Sequence, residues 1–91
     1  LEVRAILAVR GGWGSARLLP YLDWDLIRAN PKLVIGFSDI TALHMAIAAQ
    51  AGFTTIHGPN GGSAWGKGSL HHFKALAFDG ATPTLVNPVA E

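Results

Sequence analysis

An open, mostly parallel α/β sheet with helices on both faces is the fold this sequence predicts. Three observations predict it. Short apolar runs alternate along the chain with helix-like segments, the order of a parallel sheet with crossover connections. The first run, Ala5 to Val9, is continuous rather than alternating, as in strands covered on both faces. The runs are followed by turn-forming loops rich in Gly, Ser and His. In a parallel sheet those loops share one edge, and that edge is where open α/β sheets bind ligands.

Each element has a local reason. Ala5-Ile6-Leu7-Ala8-Val9 is the first strand, and Gly11-Gly12-Trp13-Gly14 follows it directly. Glycines at that density let the backbone turn sharply and approach a ligand closely. Ser15 is a cap for a short helix through Leu19, which Pro20 ends. Asp23 caps a second short helix, Trp24 to Ala29, closed by Asn30-Pro31. Lys32 to Gly36 is the next strand. Asp39 to Gln50 is the strongest helical pattern, with Ile40, Leu43, Ile47 and Ala51 on one stripe and Gly52 as its stop. Phe53-Thr54-Thr55-Ile56 is β-branched and aromatic, hence a third strand. His57-Gly58-Pro59-Asn60-Gly61-Gly62 is a turn-rich loop. A helix from Ser69 to about Phe78 stops at Asp79-Gly80, and Thr82 to Val86 is a last strand, weakened by Pro83.

Composition narrows the function. The chain has 91 residues, which suits one small domain or part of a larger one, and it is read as a piece of a longer enzyme. Hydrophobic residues make up 49% and charged residues only 14%, low against the usual quarter or so. A chain this apolar is expected to hide its faces against further segments or a partner. The net charge is +1 and the basic residues form no run, so nothing favours nucleic acid or a membrane surface. Cysteine is absent, which excludes disulfides, thiolate metal sites and a Cys nucleophile, and fits the cytoplasm. No apolar run approaches the roughly 20 residues of a membrane span.

The chemistry centres on Leu33-Val34-Ile35-Gly36-Phe37-Ser38-Asp39-Ile40-Thr41. This is a strand, a tight corner and the start of a helix. A serine at such a corner is pushed outward with its hydroxyl exposed, as a nucleophile must be. A side chain at Gly36 would crowd the turn, and the N–H of Asp39 would face the same space as a developing oxyanion. The G-x-S-x-G pattern is incomplete, because Ile40 stands where the last glycine would be. Read without other information, Ser38 is more often a plain helix N-cap.

Several spaced blocks in order carry a family resemblance. They are Arg10-Gly11-Gly12-Trp13-Gly14-Ser15-Ala16-Arg17-Leu18-Leu19-Pro20-Tyr21-Leu22-Asp23, then Asn30-Pro31-Lys32, then Gly36-Phe37-Ser38-Asp39-Ile40-Thr41-Ala42-Leu43, then His57-Gly58-Pro59. Together they resemble the LD-carboxypeptidase family of serine peptidases, which also contains the microcin C self-immunity hydrolases. Trp13 replaces the tyrosine usual in that glycine loop. The resemblance implies Ser38 as nucleophile, with an oxyanion hole from the N–H groups of Asp39 and Gly12. It implies cleavage of the amide bond between an L-centre and a terminal D-amino acid of a murein-derived peptide, without metal or cofactor. It implies a Glu and a His in a C-terminal domain beyond this chain, so that residues 1–91 hold the nucleophile-bearing part of the N-terminal domain. It also implies a homodimer.

Other residues are weighed against plainer roles. Gly11, Gly12 and Gly14 form a tight turn, a substrate-facing loop or a phosphate cradle. The dinucleotide pattern lacks its third glycine, and in Gly61-x-x-x-x-Gly66-Lys67-Gly68 a glycine stands where a Walker loop needs Ser or Thr. A nucleotide-binding α/β domain and a non-catalytic binding module are therefore the rival readings. Arg10 is a candidate for a substrate carboxylate, and Arg17 is read as surface solvation. Trp13 and Trp65 line a groove, or Trp65 only covers the glycine-rich loop. His57 is the exposed histidine at the active edge, read first as a residue that shapes the pocket. His44 lies on the helix stripe as a core histidine. His71 and His72 are neighbours that face different ways and do not make a metal pair.

Overall fold

The computed structural model describes residues 2–82. Three parallel strands form one sheet in the order β1-β2-β3. They are β1 (Ala5–Leu7), β2 (Leu33–Gly36) and β3 (Ile56–His57). Leu33, Val34 and Ile35 of β2 pair with Ala5, Ile6 and Leu7, and Ile35 and Gly36 pair with Ile56 and His57. Four helices, α1 (Ser15–Leu18), α2 (Trp24–Ala29), α3 (Thr41–Gln50) and α4 (Lys67–Ala77), follow in the alternation expected. The open parallel α/β class therefore stands.

The core sits on the central strand. Val34 and Ile35 of β2 are buried with Ile40 and with Ile47 of α3. Burying an aliphatic side chain of this size contributes about 2 kcal/mol. The stripe read from Ile40 to Ile47 is thus the face that meets the sheet. The α3 helix ends as expected at Gly52, whose φ is +78°. Its N–H and that of Ala51 both donate to the Ile47 carbonyl, at 2.9 Å each, a left-handed glycine stop. Asp23 caps α2 by accepting from the Leu26 N–H at 3.1 Å.

Some boundaries differ from expectation, each for a physical reason. Ser15 is not the cap of α1. Gly14 holds that position without a side-chain bond, and Ser15 is buried in the first turn. Pro20 does not end the segment but lies early in a 3₁₀ turn, Leu19–Tyr21, where its missing N–H costs nothing. The helix expected from Asp39 opens with a 3₁₀ turn over Ser38–Ile40, and α3 proper starts at Thr41. Helix α4 starts at Lys67, after Gly66, rather than at Ser69. Pairing on β3 begins at Ile56 and takes in His57, because β2 offers partners there only at Ile35 and Gly36. The first strand is not covered on both faces. It lies at the sheet edge, and Ile6 and Leu7 remain 52% and 43% exposed. The strand expected over 82–86 falls outside the described residues, apart from Thr82.

Candidate active site

The site grows from the end of β2. Phe37 continues the strand in extended backbone, and the chain then turns at Ser38 with φ +63°. Ser38 is the only non-glycine residue with positive φ among the described residues. An L-residue held there costs on the order of 1–3 kcal/mol and persists only where its surroundings over-determine it. The strained serine is also exposed. It opens the 3₁₀ turn Ser38–Ile40 that leads into α3, so the first amides of that turn and helix lie close by, an environment that favours negative charge.

The hydrogen bonds at this corner go to the neighbours of the serine. The Gly36 carbonyl accepts from the Gly58 N–H at 3.1 Å and lies 2.8 Å from His44 Nε2. The Phe37 N–H donates to Asn60 Oδ1 at 3.0 Å. On the other side, Asp39 Oδ2 accepts from the Ser15 N–H at 2.9 Å, and the Asp39 carbonyl accepts from the Ser15 hydroxyl. The Asp39 carboxylate thus fixes the corner, as its place in the first turn suggests.

Two glycines at the corner make close approaches that a side chain would crowd. A β-carbon on Gly36 would lie 2.8 Å from Asn60 Oδ1 and 2.9 Å from Ile40 Cγ2. The crowding expected at that position is therefore concrete. A β-carbon on Gly11 would lie 3.2 Å from the Asp39 nitrogen and 3.4 Å from Ser38 Oγ. With glycine there, the space in front of the serine oxygen and the Asp39 nitrogen stays open. The loop after β1 is therefore seated against the corner after β2.

The third loop joins them. The N–H groups of Gly61 and Gly62 donate to the carbonyls of Ala8 and Val9 at 2.6 and 2.7 Å. A β-carbon on Gly62 would come within 2.9 Å of the Val9 oxygen. These amides are spent on the chain itself, so this glycine pair is a packing device and not a phosphate cradle. All three loops expected at the active edge are brought together.

The remaining candidates take separate places. Arg10 is exposed, with Nη2 beside Gly12, 3.8 Å from where a β-carbon would stand. Trp13 is 82% exposed, and the Arg17 guanidinium stacks 5.1 Å from its ring centre, so Arg17 has a partner beyond solvent. His57 is exposed and edges against Phe37 and His44, with ring centres 6.4 and 6.0 Å apart. With Gly58, Pro59 and Ser63 it lines a shallow depression beside Phe37. Trp65 packs edge-on against Phe73 of α4, 5.0 Å between ring centres. His44 is half-buried and its Nδ1 has no partner among the described residues. Among those residues, no three His, Asp or Glu side chains are grouped to hold a metal. Among the described residues, no helix is long and apolar enough to cross a membrane. Ser15 and Asn60 are the residues that sequence reasoning missed. Their signal was only a Ser and an Asn in loops expected to converge.

A strained, exposed serine between a parallel strand and a helix, faced by a glycine loop, has the geometry of a nucleophile elbow. Comparison with known proteins gives that geometry a family. The profile of the LD-carboxypeptidase N-terminal domain matches residues 1–58, and the chain belongs to that family. A Bacillus subtilis protein named probable murein peptide carboxypeptidase is 48% identical over 58 residues, covering 64% of this chain and 18% of its own. The microcin C7 self-immunity protein MccF of Escherichia coli is 48% identical over 58 residues, covering 64% of this chain and 17% of its own. The solved structure of MccF in complex with glutamyl sulfamoyl guanosine superposes with a TM-score of 0.75 at 36% identity, over 82% of this chain and 24% of that one. The chain thus spans under a fifth of the length of these two sequence relatives.

Proposed function

We propose that this chain supplies the nucleophile half of a serine carboxypeptidase. Its substrate is a murein-derived peptide, cut at the amide bond between an L-centre and a terminal D-amino acid. The observation that carries the reading is the backbone of Ser38, held at φ +63° with its hydroxyl facing the gap kept open by Gly11. Ser38 Oγ attacks the scissile carbonyl and passes its proton to a base. The oxyanion is met by the N–H groups of Asp39 and Gly12. The base then gives the proton to the departing amine, leaving a serine ester that water cleaves through a second oxyanion. Base and orienting acid are a His and a Glu of a C-terminal domain, following the family pattern. Arg10 meets the substrate's terminal carboxylate, and Gly11, Trp13 and His57 line its path. The chemistry needs neither metal nor cofactor. The same reading sets the protein in the cytoplasm as a homodimer; a cysteine-free chain and the exposed apolar residues of β1 and α4 support it.

A second reading has its own support. A related structure is MccF bound to aspartyl sulfamoyl adenosine, at 37% identity and a TM-score of 0.75. Under it the substrate is a peptide-nucleotide and the reacting serine is the same. Incubating the intact protein with an L,D-tetrapeptide and with an aminoacyl sulfamoyl adenosine separates the two. Release of the terminal D-amino acid, lost in Ser38→Ala, is the expected result. Turnover of the nucleotide alone favours the second reading, and turnover of neither contradicts both.

A further inference from the structure

Ser15 and Asn60 are the two buried polar residues among the described residues, 6% and 4% exposed. Neither belongs to the nucleophile or the oxyanion donors. Yet both spend their side-chain oxygens on the residues that flank Ser38. Asn60 Oδ1 takes the Phe37 N–H at 3.0 Å, and the Ser15 hydroxyl donates to the Asp39 carbonyl. The Ser15 backbone N–H adds a second tie at 2.9 Å, to the Asp39 carboxylate. They come from different parts of the chain, Ser15 from the first turn of α1 and Asn60 from the loop after β3. The corner is thus gripped from both sides by chain remote in sequence.

We infer that Ser15 and Asn60 are positioning residues that hold the Ser38 backbone in its left-handed conformation and aim the Asp39 N–H. This assignment rests on the hydrolase reading above. The physical need is clear. A buried polar group is kept only where its hydrogen bond is made, and a left-handed serine persists only where its surroundings over-determine it. The ties hold the Gly36–Phe37 and Asp39–Ile40 peptides, the next ones out from the two that flank Ser38, and so pin both ends of the corner. Asn60 also fills the space that Gly36 leaves free, since a β-carbon on Gly36 would collide with Asn60 Oδ1 at 2.8 Å. Gly36 and Asn60 therefore form one matched unit. Ser15 carries the companion task of docking the glycine loop, so that Gly11 lies close to the Asp39 nitrogen with no side chain between them.

The test uses the intact protein and a fluorophosphonate that reacts with an activated serine. Ser15→Ala removes one hydroxyl, and Asn60→Leu removes the acceptor at similar volume. Each is expected to slow labelling of Ser38 and to lower kcat on the L,D-peptide by about tenfold, with KM within about twofold, because a misaimed nucleophile loses rate and not binding. Asn60→Asp keeps an oxygen acceptor and is expected to recover most of that loss. Labelling by Ser15→Ala and Asn60→Leu at the wild-type rate overturns the assignment. So does equal slowing by Asn60→Leu and Asn60→Asp, since the acceptor would then not matter. A wild type that takes no label at all overturns the hydrolase reading itself, and this assignment with it.

Discussion

Between Gly36 and Asp39, the residues around the serine are tied by hydrogen bonds to α1, to α3 and to the loop after β3, whereas α4, Lys67–Ala77, buries none of its residues. The corner stands on Val34, Ile35 and Ile40, all buried. Helix α4 leaves Leu70 and Leu76 at 55% and 42% exposure and ends in an exposed ion pair, Lys74 to Asp79 at 3.1 Å. The difference teaches where rigidity is placed. A strained residue needs polar ties from remote chain, because apolar packing alone does not fix a peptide plane. Helix α4 has its own ladder and an edge-on aromatic contact, Trp65 on Phe73.

Substitutions at three positions in the intact protein sharpen or break that contrast. The largest effect is expected at the serine. Ser38→Ala should lower kcat by about 10⁴-fold or more, measured on the L,D-peptide. Ser38→Gly should be equally inactive and yet about 1 kcal/mol more stable in urea unfolding, because glycine accepts the left-handed backbone without strain. A loss of stability in Ser38→Gly would mean that the corner stores no strain. Next comes Gly36→Ala, whose added carbon meets Asn60 Oδ1 at 2.8 Å and Ile40 Cγ2 at 2.9 Å. Overpacking of this kind costs about 1–3 kcal/mol, read from the shift in the urea midpoint. The smallest effect belongs to α4. Lys74→Ala removes an ion pair whose side chains are 67% and 52% exposed, and a change within about 0.5 kcal/mol is expected. If Lys74→Ala cost more than Gly36→Ala, the ranking of the two regions would be reversed.

Much of this was legible in the sequence because it is local. The pattern Gly36-Phe37-Ser38-Asp39 announces a corner between a strand and a helix, and the coordinates put the strain on Ser38. Asp23 as a cap and Gly52 as a stop are equally local signals, and both hold. What escaped is what depends on loops meeting. Ser15 reads as a cap because serine after glycine at a helix start usually is one. Its burial against Asp39 follows only once β1 and β2 are paired in parallel. Asn60 reads as a turn residue, and its bond to Phe37 crosses between the loops after β3 and β2. The third strand shifted for the same reason. The propensity of Phe53 to Thr55 describes a surface, while pairing with β2 decides where the ladder runs. The apolar run from Ala5 to Val9 signalled cover on both faces, whereas among the described residues nothing covers Ile6 and Val9, which stay exposed.

The central claim is that the bent backbone at Ser38 lifts one oxygen into a niche suited to an anion. A crystal structure of the intact protein after reaction with a fluorophosphonate tests it most directly. The account predicts a phosphorus–oxygen bond to Ser38 Oγ, with a phosphonyl oxygen about 3 Å from the nitrogens of Asp39 and Gly12. An adduct on another residue, or a phosphonyl oxygen turned to solvent away from both nitrogens, would contradict it.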